Sequence, residues 1–159
     1  MRDKEFVERL EADFPEVKFK WGAKRFSFQL RNGAPVVFLG EPQPNFALLA
    51  LHELGHALCK HKDYTRDVER IKIESAAWER AKTVLLDYQA KASINSEEVG
   101  NIELAAMLPE WDEDFVQEKM DTYRDWLHAK SRCKKCGLTR YQTADKKYHC
   151  PRCEAFVLE

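Results

Sequence analysis

The sequence predicts an α+β chain in which a small antiparallel sheet packs with several helices and a compact four-cysteine module follows. Three observations lead there. Residues 17 to 39 hold three short strand-like runs separated by turn residues, the flanking stretches repeat apolar residues at steps of three and four, and two Cys-x-x-Cys pairs fall between Cys133 and Cys153. At 159 residues, 44% of them hydrophobic and 33% charged, the composition fits a globular domain over residues 1–130 and an attached module over residues 131–159.

Taken in order, Phe6, Val7, Leu10 and Phe14 at helical spacing, closed by Pro15, predict an amphipathic helix over residues 3 to 14. Strands are expected over Val17 to Trp21, over Arg25 to Leu30, where Phe26, Phe28 and Leu30 alternate, and over Pro35 to Leu39. Gly22 and Asn32-Gly33 read as turns, the second a hairpin signal. Pro42 and Pro44 punctuate a loop, and Asn45 is placed to cap a helix that starts at Phe46. Asp67 opens a long helix on which Ile71, Glu74, Trp78, Ala81, Leu85 and Tyr88 form one stripe, with Glu69 and Glu79 off it and expected to face solvent. Residues 95 to 108, capped by Ser96, and Trp111 to Ala129, with Phe115, Met120, Tyr123, Trp126 and Leu127 on one side, complete the helices.

The chemistry concentrates at His52-Glu53-Leu54-Gly55-His56, inside the apolar run Phe46 to Leu51. Histidines four apart on a helix lie about 40° round and about 6 Å along from each other, so both imidazoles reach one metal ion. Glu53 would point to one side of that ion, where a carboxylate can take a proton from water without being a ligand. Gly55 leaves bare backbone that another element can approach closely. The plainer alternative is a pair of hydrogen-bonded histidines beside a core. Against it, residues 46 to 58 are apolar on nearly every face except at His52, Glu53 and His56, and buried polar groups need partners.

Glu74 is the natural third ligand, being the one charged member of its stripe, with a buried ion pair to a Lys or Arg as the alternative. His61 lies nine residues past His52, about half a turn round, and is excluded while that helix continues. Cys59 is about 10 Å along from His52 and is expected to be a small thiol packed in the core.

Cys133-Lys134-Lys135-Cys136 and Cys150-Pro151-Arg152-Cys153 present four thiolates to one structural zinc, and Leu138 to Tyr148 between them is long enough for a hairpin. The result expected is a zinc ribbon too small to fold without its metal; a redox role for a single Cys-x-x-Cys is the alternative. Two zinc ions are therefore expected, one catalytic and one structural.

Residues 131–159 carry seven bases against three acids, the rest nineteen against twenty-four. Arg132, Lys134, Lys135, Arg140, Lys146, Lys147 and Arg152, with Tyr141 and Tyr148 interleaved, suit a DNA contact, whereas ten acids and two bases between Glu97 and Asp125 do not. A charged start without a signal-length apolar core, and no run of about 18 apolar residues, predict a cytoplasmic protein that makes no membrane contact.

Over about residues 35 to 90 the chain resembles the gluzincin-like metallopeptidases of the ImmA/IrrE type, on Leu51-His52-Glu53-Leu54-Gly55-His56-Ala57-Leu58 and Glu74-Ser75-Ala76-Ala77-Trp78. That family typically shows Glu-Ala-Asn-x-Phe at the second place, so Ser75, Ala76 and Trp78 are departures. The resemblance implies a zincin-like fold, a zinc held by two His and one Glu, and cleavage of an intracellular regulator, often a DNA-bound repressor. The tail, Tyr148-His149-Cys150-Pro151-Arg152-Cys153 with Leu158, is similar to that of SprT-like proteases. Those take their third ligand from a later His, and none occurs here between His61 and His128.

The function expected is that of a zinc-dependent intracellular endopeptidase acting on a protein or peptide, regulatory or DNA-associated. A SprT-like DNA–protein crosslink protease, and a nucleic-acid- or protein-binding module with an inactive zincin core, are the alternatives. By analogy with zincins, an extended substrate is expected on the sheet edge at Val36 to Leu39. His61, Tyr64 and Tyr88 are the candidates to stabilise an oxyanion.

Overall fold

The computed structural model describes residues 2–94 and 105–154. The helix expected over 95 to 108 lies outside them except at 105–108, of which 105–107 are helical, and Leu158 also lies outside. The α+β class holds. Two compact units form, residues 1–62 with 75–112 and residues 63–74 with 113–159, so the boundary falls inside one continuous helix.

In the first unit, α1 (Arg2–Asp13) buries Phe6, Val7 and Leu10. Strands β1 (Lys18–Lys20), β2 (Ser27–Arg31) and β3 (Ala34–Phe38) make one sheet in the order β1-β3-β2. Asn32 and Gly33, with φ of 52° and 80°, form the tight turn expected between β2 and β3, which pair antiparallel with Arg31 opposite Ala34. β1, however, pairs with β3 in parallel, Lys18 opposite Val36. The sheet is mixed, which corrects the antiparallel expectation.

Composition explains the order. Ala-Pro-Val-Val-Phe is the most apolar strand and takes the centre, with Val36 and Val37 buried, while Lys-Phe-Lys and Ser-Phe-Gln-Leu-Arg carry the polar alternation suited to edges. Pro35, which has no N–H to give, lies beyond the reach of β1, whose partners run only from Val36 to Phe38. A second correction follows: Val36 to Leu39 is no edge, because both sides of β3 are paired and the Leu39 N–H donates to the Lys20 carbonyl at 2.8 Å. An added strand would have to use β1 or β2.

Helix α2 (Phe46–Leu58) packs on β2, β3 and α1. Asn45 precedes it with φ 62° and makes no side-chain cap, contrary to expectation, because a capping side chain needs the extended backbone that a left-handed residue lacks. The helix stops at Leu58: Cys59 is the C-cap, Lys60 is left-handed at φ 52°, and the His61 N–H donates to the His56 carbonyl at 3.1 Å. Cys59 is exposed, not in the core, since the C-cap position leaves the packed face.

Helix α3 (Asp67–Ile94) belongs to both units. From Ala77 onward it buries Ala77, Trp78, Ala81, Val84, Leu85 and Tyr88 in the first, close to the expected stripe; Ile71 is half-buried and Glu79 exposed. The close approach anticipated at Gly55 is made by this helix. A Cβ there would stand 2.2 Å from the Ala77 carbonyl oxygen, so only glycine admits the contact.

The second unit comprises the start of α3, α4 (Glu113–Ser131), β4 (Tyr141–Gln142) and β5 (Tyr148–His149), the last two pairing antiparallel as the hairpin expected between the cysteine pairs. Glu69 accepts the N–H groups of Thr65 and Arg66, each at 2.9 Å, and so completes the helix start while its side chain stays 37% exposed, as expected. Asp67, 2% exposed, accepts from the Tyr148 hydroxyl at 2.6 Å and from Lys130 Nζ at 3.4 Å, and its own N–H donates to Gln142 Oε1 at 2.8 Å. Among the described residues no helix is long and apolar enough to cross a membrane.

Gly55→Ala should lower stability by about 1–3 kcal/mol, the usual cost of overpacking, in urea unfolding followed by tryptophan fluorescence. At Asp67, burial raises the carboxyl pKa but the hydrogen bonds from Tyr148 and Lys130 outweigh it and hold the pKa below the usual value. A depressed folded-state pKa contributes stability above the unfolded value and loses it as pH falls through the folded one. Asp67→Asn should therefore destabilise the chain at pH 7 by about 1–3 kcal/mol, and the gap to wild type should shrink below about pH 4 in the same assay.

Candidate metal centres

His52 and His56 sit on the buried face of α2, 5% and 8% exposed, and their Nε2 atoms are 3.2 Å apart. Two nitrogens each about 2.0–2.1 Å from one tetrahedral ion would be about 3.3 Å apart, so the pair has the spacing of co-ligands. Glu74, 8% exposed, joins them: the ligand atoms of His52, His56 and Glu74 all lie within 4.8 Å of one another. Glu74 lies one turn before Ala77, whose carbonyl Gly55 approaches, on the same helix. Its Oε1 is also 3.7 Å from Arg70, so the ion pair weighed as an alternative is present alongside the imidazoles. Glu53, between the two histidines, is half-buried.

Rings fix the imidazoles in orientation. Trp78 stacks on His52, centroids 4.1 Å apart and planes 23° from parallel, and meets the edge of Trp111 at 6.2 Å. Phe28, from β2, lies parallel to His56 at 6.1 Å.

His61 is not one of the three grouped residues, as expected, but it stands beside one of them. Because left-handed Lys60 turns the chain back, His61 Nδ1 comes 2.9 Å from His56 Nδ1, where it is placed to fix the tautomer that leaves His56 Nε2 for an ion. The charged break Lys60-His61-Lys62 after the apolar run was the only signal that the helix stops. Tyr88 lies fourteen residues past Glu74, about 21 Å along the helix, and burial, then the Asp13 carboxylate, holds its hydroxyl well above the usual pKa. Tyr64 instead faces cations, Arg70 at 5.9 Å and Lys146 at 4.2 Å.

Cys133, Cys136, Cys150 and Cys153 form the second group. Sγ separations of 3.9 Å for Cys133–Cys153 and 3.5 Å for Cys136–Cys150 are far from a disulfide and close to the about 3.8 Å expected of sulfurs 2.3 Å from a tetrahedral ion. The turns are built for thiolates. Backbone N–H groups of Cys136 and Lys135 bring the Cys133 thiol down to about 6, and the Cys153 N–H points at Cys150 Sγ from 3.4 Å. Hydrogen bonding to Cys136, then burial, pushes Cys153 up to about 12.

No protein-family model, curated protein or solved structure matches this chain.

His61→Phe should weaken metal binding at the His52, His56 and Glu74 group by about 10- to 100-fold while leaving the four-cysteine group unchanged, as read by competition with a chromogenic chelator.

Proposed function

We propose that the chain is a zinc-dependent endopeptidase. The observation that carries this reading is the convergence of two imidazoles and one carboxylate within 4.8 Å, beside a glutamate that is not part of the group. Three protein ligands of this kind leave a fourth position of a tetrahedral ion open, as hydrolytic zinc requires, and four thiolates close a structural site. On this reading residues 1–130 are zincin-like, the cysteine module is a zinc ribbon, and the protein works in the cytoplasm. The resemblances to ImmA/IrrE-type and SprT-like proteases point the same way.

When bound, the ion would supply Lewis acidity to a peptide carbonyl and to water. His52, His56 and Glu74 hold it, and Glu53 takes the proton from the attacking water and gives it to the leaving amine. Trp78 and Phe28 keep the imidazoles from turning and exclude water from their faces. With β3 paired on both sides, the substrate strand belongs on the outer edge of β2, where Phe28 already touches His56. Backbone pairing at an edge gives affinity with little side-chain selectivity.

A DNA-associated substrate or a binding role finds support in the cysteine module, where Tyr141 is 57% exposed and stacked on His149 in a segment that also carries Lys134, Lys135, Lys146, Lys147 and Arg152. Salt-dependent binding of single-stranded DNA by the full chain, without hydrolysis of any protein, would favour that second reading.

Glu53→Gln should retain two zinc ions per chain and lose about 10²–10⁴ in proteolysis of an unfolded protein such as casein, whereas Glu74→Ala should retain one. Cleavage by Glu53→Gln at the wild-type rate would remove the general base from this scheme.

A further inference from the structure

Positions 67, 70 and 74 recur at steps of three and four and so share one face of α3. Each is gripped within the second unit. Asp67 is bound by Gln142 and Tyr148, which face each other as one of the two residue pairs of β4 and β5, and by Lys130 of α4. One turn on, the Arg70 guanidinium lies over Tyr123 at 5.0 Å and Trp126 at 4.9 Å, both on α4, with Tyr64 at 5.9 Å. One further turn on, Arg70 reaches Glu74 at 3.7 Å. A carboxylate with one oxygen on a fixed guanidinium can offer the other to an ion without losing a rotor's freedom at that moment.

We propose that the four-cysteine module is the support that sets the third ligand of the other metal group, with Arg70 as the positioning residue. This rests on the metal reading of both groups. The module is too small to order without an ion, so Gln142 and Tyr148 take their places on Asp67 only once the thiolates are loaded. That loading is the two-state step the coupling needs. It fixes the start of α3, the α4 rings fix Arg70, and Arg70 fixes Glu74. Coupling of this kind is reciprocal, so each metal tightens the binding of the other.

The probe is cobalt(II) added to metal-free, reduced full-length chain. Thiolate-bound cobalt gives intense sulfur-to-metal charge transfer in the near ultraviolet, while a nitrogen and oxygen site gives only weak visible bands, so the two uptakes read separately. Tyr148→Phe removes the hydroxyl and keeps the ring, and Arg70→Gln removes the cation.

Both variants should keep the charge-transfer band and the helical circular dichroism of wild type, yet bind cobalt at the nitrogen and oxygen site about tenfold more weakly or worse. Arg70→Lys should recover part of that loss. Wild-type affinity within twofold in either variant overturns the proposal. If wild-type chain takes up thiolate-bound cobalt alone, the His52, His56 and Glu74 group is not a metal site and both readings fall together.

Discussion

Backbone approaches backbone at one place that governs the candidate active site, where Gly55 of α2 meets the Ala77 carbonyl of α3. A hypothetical Cβ at 2.2 Å measures how little room is left. Two helices held apart by side chains lie about 8–10 Å axis to axis, and the smallest residue is needed to reach the lower end. Glycine costs about 1 kcal/mol of helix propensity in the middle of a helix, and here that cost admits a carboxylate to a pair of imidazoles. Leu51 and Leu54 on α2 and Ala81 on α3, one turn or less from the contact along their helices, are all buried.

Burying three ionisable groups so close together is unfavourable unless something compensates. Arg70 compensates in part for Glu74, but it remains a third exposed and its charge is shared with the faces of Tyr123 and Trp126. A divalent ion compensates for all three at once, since it prefers neutral imidazole and ionised carboxylate over their protonated forms. The cysteines present the same problem in a purer form, because four thiols gathered within 4.8 Å of one another can ionise together only beside a positive charge.

What the sequence discloses here is what local spacing can encode. His52, His56 and the two Cys-x-x-Cys turns are separations within one element, and Glu74 is legible because a lone charge on a buried stripe must be answered. The turn at Asn32-Gly33 is equally local. Sheet order is not, since whether β1 adds beside β2 or beside β3 depends on which strand the core can bury on both sides. The contact of His61 with His56 and the missing cap at Asn45 are illegible for another reason: each follows from a left-handed residue, at Lys60 and at Asn45 itself, that reverses or tilts the chain without a glycine to announce it. The exposure of Cys59 has the same origin, because only a helix continuing past Leu58 would keep its thiol inside. Arg70 and Asp67 carried no signal of their own, as ordinary charges near a helix start whose partners, among them Trp126 and Tyr148, lie more than fifty residues away.

The sheet's two rims are unlike in colloidal terms. β1 shows solvent Lys18 and Lys20, ammonium groups that repel a second copy of themselves and deter apolar strands from joining. β2 ends in Arg31 but leaves Leu30 42% exposed, and so has only one gatekeeper. On the peptidase reading proposed above, the rim that accepts a guest strand is also the one along which molecules of this protein would stack when concentrated, so self-association and substrate capture would compete for the same row of amides.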